Sequence, residues 1–198
     1  MLQDIIDGKE LNLHDSKGVV MIKKKTVKEL LGESLEELLK SKSFEKITVN
    51  EIAENCGVGR RTFYNNFTDK HDLATWLYIR QLSAFVDIRD RAELKDFIRY
   101  STEVVAKDRY ILKALDKYRG QNNIRDSLAQ PMADIYVKVI EKYYDCKVGR
   151  ELKQDIEFYV GGQIAYVGRI IQNPELPTPQ EATEYFVRCI PESLKQFI

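Results

Sequence analysis

Residues 48–67 read TVNEIAENCGVGRRTFYNNF and predict two short helices joined by a tight turn. Thr48 and Glu51 have the spacing of a capping box, in which the hydroxyl accepts from the Glu51 amide and the carboxylate reaches back to the Thr48 N–H. Gly57 supplies the left-handed backbone conformation that a sharp turn after the first helix needs. With a helix before it, this stretch is interpreted as the centre of a helix-turn-helix unit.

The helix after the turn is predicted over residues 60–67 and is polar and basic except for its two apolar anchors, Phe63 and Phe67. In a helix-turn-helix unit such a helix enters the DNA major groove, about 12 Å wide, with its N-terminal residues at base edges. Two arginines alone more often form a solvated helix face, but within this motif DNA contact is favoured. The residues predicted here to contact DNA are Thr48, Arg60, Arg61, Thr62, Tyr64 and Asn65.

Apolar residues recur at helical spacing over most of the chain. One helix is predicted over residues 26–40, and a long one follows Asp69, its predicted N-cap. Further helices are predicted over residues 92–106, 108–118, 124–145, 150–172 and 179–197. The fold class is therefore all-α, with an N-terminal three-helix helix-turn-helix domain and a C-terminal helical bundle that forms a dimer. The expected segments are an N-terminal extension (1–22), the DNA-binding domain (23–72) and a regulatory and dimerisation domain (73–198).

The predicted helix 150–172 is apolar nearly all round, so it needs cover on two sides. A partner subunit can supply the second cover, and a central core helix in a monomer is the alternative. The predicted dimer interface consists of Ile156, Val160, Ile164, Val167, Ile171 and Phe186. A cavity for a small-molecule effector is predicted from Trp76, Arg80, Tyr110, Tyr136, Tyr159, Gln163 and Tyr166, for each of which ordinary packing is the alternative.

The charge balance is neutral, with 31 Lys or Arg against 31 Asp or Glu. Residues 21–72 hold ten basic and nine acidic residues, so bulk charge does not mark the DNA-binding unit either. The placement of the cations does mark this unit. Lys24 and Lys25 lie in the run before the first helix and are predicted to contact phosphates, and a solvated terminus is an equal alternative for this run. A neutral chain of this kind predicts weak binding to random DNA and a modest salt dependence.

Enzymes and membrane proteins are disfavoured classes. His14 and His71 are the two histidines, and no nucleophile–base set, metal-ligand cluster or glycine-rich phosphate loop is found. No cofactor and no metal are therefore expected. The sequence contains no apolar run long enough to cross a membrane and no signal peptide, and its three cysteines are widely spaced. A cytoplasmic protein without a membrane partner is expected.

Residues 24–73 resemble the DNA-binding unit of the TetR family of bacterial regulators. The resemblance is carried by the pair Ile52-Ala53, the Gly57-Val58 turn, the run Thr62-Phe63-Tyr64, the Phe67 anchor and Lys70. It implies that Arg61, Thr62, Tyr64 and Asn65 face DNA and that Lys70 binds phosphate. Gly59 departs from the serine common at its position, and Asn66 from an aromatic residue or histidine, so the base preference of the family is not carried over.

The C-terminal half is similar to the subgroup of dihydroxyacetone-kinase regulators, through residues 158–163 and through Pro179-Gln180-Glu181 and Ile190-Pro191. Together these features predict a homodimeric regulator on a pseudo-palindromic operator, released or engaged by a small-molecule effector. The alternative is a helical coactivator or adaptor that acts through protein–protein contact without such a ligand.

Overall fold

The structure is a computed structural model that describes residues 25–117 and 123–198. All regular secondary structure in these two ranges is helical, which confirms the predicted all-α class. The predicted N-terminal extension (1–22) and Lys24 lie outside the described residues. In chain order the elements are α1 (Val27–Leu39), a 3-10 turn (Phe44–Lys46), α2 (Val49–Asn55), α3 (Arg60–Tyr64), α4 (Lys70–Ile88), α5 (Leu94–Lys107), α6 (Arg109–Lys117), α7 (Ile124–Tyr143), α8 (Arg150–Ile170), α9 (Pro179–Arg188) and a 3-10 helix (Glu192–Phe197).

Two helices end at least three residues earlier than the sequence pattern predicts. α3 closes at Tyr64, because the Asn66 amide donates to the Phe63 carbonyl and forms a tighter turn (2.9 Å). The predicted helix 179–197 is divided into α9 and the terminal 3-10 helix. Pro191 lies between the two parts, since a proline has no N–H with which to continue an α-helix.

The N-terminal helices pack through buried leucines and a directional polar contact. Leu31 and Leu35 of α1 are fully buried. Between them, the Ser34 hydroxyl donates to the Ile52 carbonyl of α2 (2.7 Å) and accepts from the Asn55 side-chain amide (3.2 Å). Buried polar groups that are fully hydrogen-bonded specify one arrangement. The position of α2 against α1 is therefore set by hydrogen bonds as well as by apolar burial.

The core of the C-terminal bundle contains a column of aromatic rings. Ring centroids are 5.4 Å apart for Phe85 and Phe97, 5.0 Å for Phe97 and Tyr136, and 5.9 Å for Tyr136 and Tyr159. The two contacts of Tyr136 are edge-to-face, an arrangement that the ring quadrupole favours. The column joins α4, α5, α7 and α8, so these four helices form one continuous core.

A buried hydroxyl on α4 provides a test of this core. Thr75 is buried, and its Oγ1 has no hydrogen-bond partner among the described residues. An unpaired buried polar atom is destabilising, so Thr75→Val is expected to raise the free energy of unfolding by about 1 kcal/mol. Urea unfolding measures the change. The matched variant Thr102→Val should lower stability instead, because the Thr102 hydroxyl donates to the Arg99 carbonyl (2.7 Å) and bonds to Thr183 (2.9 Å).

Candidate functional site

The helix-turn-helix has the predicted local geometry. Thr48 and Glu51 form the capping box at the start of α2, with both reciprocal hydrogen bonds present. The φ angle of Gly57 is +73°, the left-handed region in which glycine is least strained. The Val58 amide then donates to the Ala53 carbonyl (2.9 Å) and closes the turn. The Thr48 side chain, a predicted DNA contact, is thus already engaged in the cap.

The carboxylate of this cap is held ionised. The Glu51 side chain is partly exposed, and its pKa is lowered to about 2, first by the hydrogen bond from the Lys42 ammonium and then by those from Thr48. A depressed carboxylate pKa stabilises the fold above the ordinary pKa of the group, and that contribution is lost as the pH falls toward 2. The capping box therefore persists at neutral pH, where DNA binding would be measured.

α3 turns one face inward and leaves a polar and basic face exposed. Phe63 is fully buried, and its ring packs 6.0 Å from the ring of Phe67. Arg60, Arg61, Tyr64 and Asn65 are exposed, and Thr62 is half-buried. The predicted contact residues of α3 are therefore brought together on one side of the helix.

Arg60 and Tyr64 act as a pair on this face. The guanidinium carbon of Arg60 lies 5.5 Å from the centroid of the Tyr64 ring, and its Nη2 is 3.4 Å from the Tyr64 hydroxyl. Stacking on the Tyr64 ring restricts the motion of the Arg60 guanidinium. Little further conformational entropy is therefore lost when that group binds an oxyanion. Arg61, by contrast, makes no side-chain hydrogen bond or ion pair within the part of the chain that the structure describes.

Lys25 lies at the start of α1 in an exposed ion pair. Its Nζ is 2.7 Å from Glu33 Oε2, and both side chains are largely solvent-accessible. Exposed pairs of this kind contribute little to stability, so the ammonium is available to a phosphate. Lys25 remains a predicted contact.

The Lys70 ammonium is engaged within the protein, so the structure gives it a role in the fold, and the phosphate contact stays a prediction. The Nζ donates to the carbonyls of Phe44 (2.9 Å), Glu45 (3.1 Å) and Ile47 (2.8 Å) and lies 4.9 Å from the centroid of the Phe44 ring. Three carbonyls use all three N–H donors of an ammonium. Lys70 therefore holds the start of α4 against the turn that precedes α2.

Lys70→Met is expected to lower the free energy of unfolding by about 2 kcal/mol, the range for losing hydrogen bonds to a charged group. The methionine keeps the apolar stem but leaves the three carbonyls without their donor. Urea unfolding measures the loss, with Lys46→Met as the control, because Lys46 is an exposed lysine in the same turn. Equal stability of the two variants, together with a reduced salt dependence of DNA binding for Lys70→Met, would instead support the predicted phosphate contact.

A cavity of about 60 Å³ lies between α4, α6, α7 and α8. Of the seven residues predicted to form a ligand cavity, Gln163 alone lines it. The wall of the cavity also includes Tyr78, Asp116, Arg125, Met132 and Gly168.

The other six predicted residues are placed elsewhere, so this prediction is wrong for them. Trp76 packs on Phe67, Arg80 stacks on Trp76 and pairs with Glu29, and Tyr110 is exposed. Tyr136 and Tyr159 are core residues whose hydroxyls donate to Gln163 and to the Phe186 carbonyl. Tyr166 stacks on Tyr185 at the surface (4.6 Å between centroids). Trp76, Tyr136, Tyr159 and Tyr166 thus pack against other aromatic rings, which is the alternative that their residue types also allowed.

Sequence comparison identifies the N-terminal unit. Residues 33–75 match the model of "Bacterial regulatory proteins, tetR family". The chain carries a TetR-family DNA-binding domain. The match confirms the predicted resemblance of the N-terminal unit, and the matched family is one of transcription regulators rather than of enzymes. The matched residues run from α1 into the first turns of α4 and include the whole exposed face of α3.

A curated relative and several solved structures extend the comparison. The chain is 21% identical over 82 residues to the HTH-type dhaKLM operon transcriptional activator DhaS of Lactococcus lactis subsp. lactis (strain IL1403), a match that spans 41% of each protein. The structure of a dihydroxyacetone kinase operon activator DhaS matches 86% of this chain and 97% of its own, with a TM-score of 0.59 and 14% identity.

Two TetR-family repressors have similar structures. Thermus thermophilus FadR in complex with lauroyl-CoA matches 84% of this chain and 94% of its own, with a TM-score of 0.64 and 17% identity. AlkX from Dietzia sp. strain DQ12-45-1b, implicated in biodegradation of n-alkanes, matches 85% of this chain and 98% of its own, with a TM-score of 0.58 and 14% identity. At these identities the likeness shows a shared fold, which extends beyond the TetR-family domain into the C-terminal bundle.

The predicted dimer interface is largely wrong. Ile156, Val160, Ile171 and Phe186 are buried inside the protomer, and Ile164 and Val167 are partly buried and line its cavity. These apolar residues form the inner face of the helix, so they are covered within the protomer. A partner that packs on α8 would contact the exposed residues on the other side of this helix.

Proposed function

We propose that the chain is a homodimeric transcription regulator that binds a pseudo-palindromic operator through α3 of each protomer. The observation that carries the proposal is that the matched TetR-family domain includes the exposed, basic face of α3, held by the buried Phe63. The proposed DNA contacts are Arg60, Arg61, Thr62, Tyr64 and Asn65, with Lys25 on the phosphates. A regulator of this kind acts in the cytoplasm. The described residues contain no helix that is both long and apolar enough to span a membrane.

The proposed dimer contact is the exposed face of α8. Phe158 is 84% exposed, and Gly161, Gly162 and Ala165 follow it at helical spacing on the exposed side. A Cβ added at Gly161 or Gly162 meets nothing within 4 Å in the protomer, so internal packing does not require either glycine. Each glycine costs about 1 kcal/mol in a helix interior. Close approach of a partner helix explains why small residues stand there.

The proposed effector acts through the cavity between α4, α6, α7 and α8. A groove of about 550 Å³ separates α1 of the DNA-binding domain from α6, and Tyr78 and Leu112 line both this groove and the cavity. A ligand that moves either side chain therefore changes the surface on which α1 rests. Binding that favours one position of α1 shifts the spacing of the two α3 helices and hence DNA affinity.

Selection of bound duplexes from a random pool tests the proposal. We expect enrichment of an inverted repeat bound by two chains, since protein and operator symmetry should match. If low-salt selection enriches no duplex, the proposal fails, and recovery of a specific protein partner would then favour the adaptor function.

A further inference from the structure

The groove between α1 of the DNA-binding domain and α6 of the bundle has an apolar floor. Its volume is about 550 Å³, and its floor comes from α1, α4 and α6. Leu39, Leu77 and Ile111 line it from these three helices and are only partly buried. An apolar surface with a polar rim is typical of an interaction site. We therefore asked which occupant the chemistry of the groove fits.

The rim of the groove is acidic. The charged residues that line it are four acidic and two basic ones: Glu33, Glu36, Glu37 and Asp108 against Lys40 and Lys107. The side chains of Glu36 and Asp108 make no hydrogen bond or ion pair within the two ranges that the structure describes. Burial raises the pKa of the Asp108 carboxyl despite the neighbouring Lys107, and a further cation beside it would offset that cost. The groove thus fits an occupant that is apolar in the middle and basic at its ends.

The stretch of this chain directly before α1 has that composition. Residues 17–25 read KGVVMIKKK, with four consecutive apolar residues between Lys17 and Lys23 and no acidic residue. Residues 1–16 hold four acidic residues and one lysine, so they do not complement an acidic rim. A lysine can also lay its methylene stem on an apolar surface while its ammonium reaches a carboxylate. Residues 17–24 therefore match the groove in both polarity and charge.

The first described residue already connects this stretch to the groove. The Lys25 Nζ lies 2.7 Å from Glu33 Oε2, and Glu33 lines the groove from the middle of α1. The Lys25 side chain thus extends along α1 in the direction of its C-terminus. One basic side chain of residues 17–25 therefore reaches the rim of the groove.

The length of the chain before Lys25 fits the length of α1. From Val27 to its C-cap Lys40, α1 rises about 1.5 Å per residue, or about 20 Å. An extended chain spans about 3.3 Å per residue, so about six residues that turn back along α1 would cover it. Counted back from Lys25, these are residues 19–24. Residues 19–22 would then lie beside residues 33–40, the part of α1 that lines the groove.

We infer that residues 17–24 dock in the groove between α1 and α6, with residues 19–22 on its apolar floor and the flanking lysines paired with Glu36 and Asp108. A segment in this position contacts the DNA-binding domain on one side and the bundle on the other. It therefore restrains the position of α1 against α6. The inference goes beyond the proposed function and does not depend on operator binding.

Zero-length cross-linking of the full chain tests this placement. A carbodiimide joins a lysine to a carboxylate when the two groups are in contact, and peptide mass spectrometry identifies the pair. We expect cross-links from the lysines that flank residues 19–22 to Glu36 and Asp108. The pair Lys25–Glu33 is the internal positive control. If that control cross-link forms and neither groove cross-link does, the inference is wrong.

A matched pair of double variants separates docking from chance collision. Val20→Asn with Ile22→Asn removes apolar anchors and keeps every lysine, so the yield of the groove cross-links should fall at least about tenfold. Leu11→Asn with Leu13→Asn makes the same kind of change outside the docked stretch and should leave the yield unchanged. Equal yields in both double variants and the parent would show collision driven by charge alone and would contradict docking.

Methyl NMR of the full chain gives a measurement that does not involve the lysines. The Ile22 δ1 methyl group, assigned with Ile22→Val, should show NOEs to the methyl groups of Leu39 and Ile111 on the groove floor. If these NOEs are missing while those within the bundle are present, residues 19–22 do not lie on the floor and the inference is wrong.

Isotope mixing distinguishes docking within one chain from docking on a second copy. Chains labelled with 14N and with 15N are refolded together and then cross-linked. We expect each groove cross-link to join two peptides of the same isotope. Cross-linked peptides of mixed isotope would assign the groove to the segment of a second copy and would contradict docking within the chain.

Discussion

Arg61→Ala is expected to weaken operator binding by about 1–3 kcal/mol, the range for losing a bidentate base contact. Arg61 is exposed on α3, and its side chain has no partner within the described part of the protein. The fold therefore does not depend on it, and unfolding curves of the variant and the parent should coincide. Fluorescence anisotropy with the selected duplex measures the loss of affinity.

Further variants on α3 distinguish base contact from phosphate contact. Arg61→Lys should restore most of the affinity if the contact is to phosphate and little of it if the contact is bidentate to guanine. Tyr64→Phe keeps the ring on which Arg60 stacks and removes the hydroxyl, so it isolates the hydroxyl contribution. Arg91→Ala, an exposed arginine outside the domain, is the control. Parental affinity of Arg61→Ala would remove α3 from the proposed interface.

The salt dependence of binding should be lower than the sequence suggests. Lys70 is one of the cations counted along the predicted DNA surface, but its ammonium is bonded to three carbonyls. Each phosphate contact contributes about 0.9 to the slope of log affinity against log salt concentration. Removing Lys70 from the set therefore lowers the expected slope by about one contact.

The helix-turn-helix was predictable because its signals are local. The capping box, the glycine turn and the two phenylalanines lie within 20 residues, and each has one dominant physical interpretation at its spacing. The fate of Lys70 was not predictable in this way. Its partners are backbone carbonyls more than 20 positions earlier in the chain, and a carbonyl leaves no mark in the side-chain sequence.

The C-terminal site was harder to predict for the same reason. Asp116 and Arg125 pair across a connection between two helices, and Gly168 matters because of a guanidinium from another helix. No periodicity links these three positions. The aromatic residues predicted to line the cavity are large enough to fill either a core or a cavity wall. Residue type alone therefore does not distinguish a core residue from a wall residue.

Helix periodicity showed that α8 has an apolar stripe but not which side of it faces a partner. The buried stripe contains Ile156 and Val160, whereas Phe158 projects from the opposite side. The exposed side was recognisable only after the packing of α7 and α9 was known. The position of Phe158 therefore leads to the second prediction of large effect.

Phe158→Glu is expected to convert the dimer into a monomer. Phe158 is 84% exposed, and in the proposed interface it packs against a partner helix beside Gly161 and Gly162. Placing an unpaired carboxylate in such a contact removes a central aromatic anchor and adds a desolvation cost, together about 3 kcal/mol or more. Analytical ultracentrifugation should show at least a hundredfold weaker dimer, and operator affinity should fall with it.

Ile88→Glu is the matched control, because Ile88 is 74% exposed at the end of α4 and lies outside the proposed interface. It makes the same change of an exposed apolar side chain to a carboxylate, so it should leave the dimer intact. If both variants remain dimeric, the exposed face of α8 is not the interface. If Phe158→Glu alone dissociates while each monomer still unfolds with parental cooperativity, the loss comes from the interface and not from the fold.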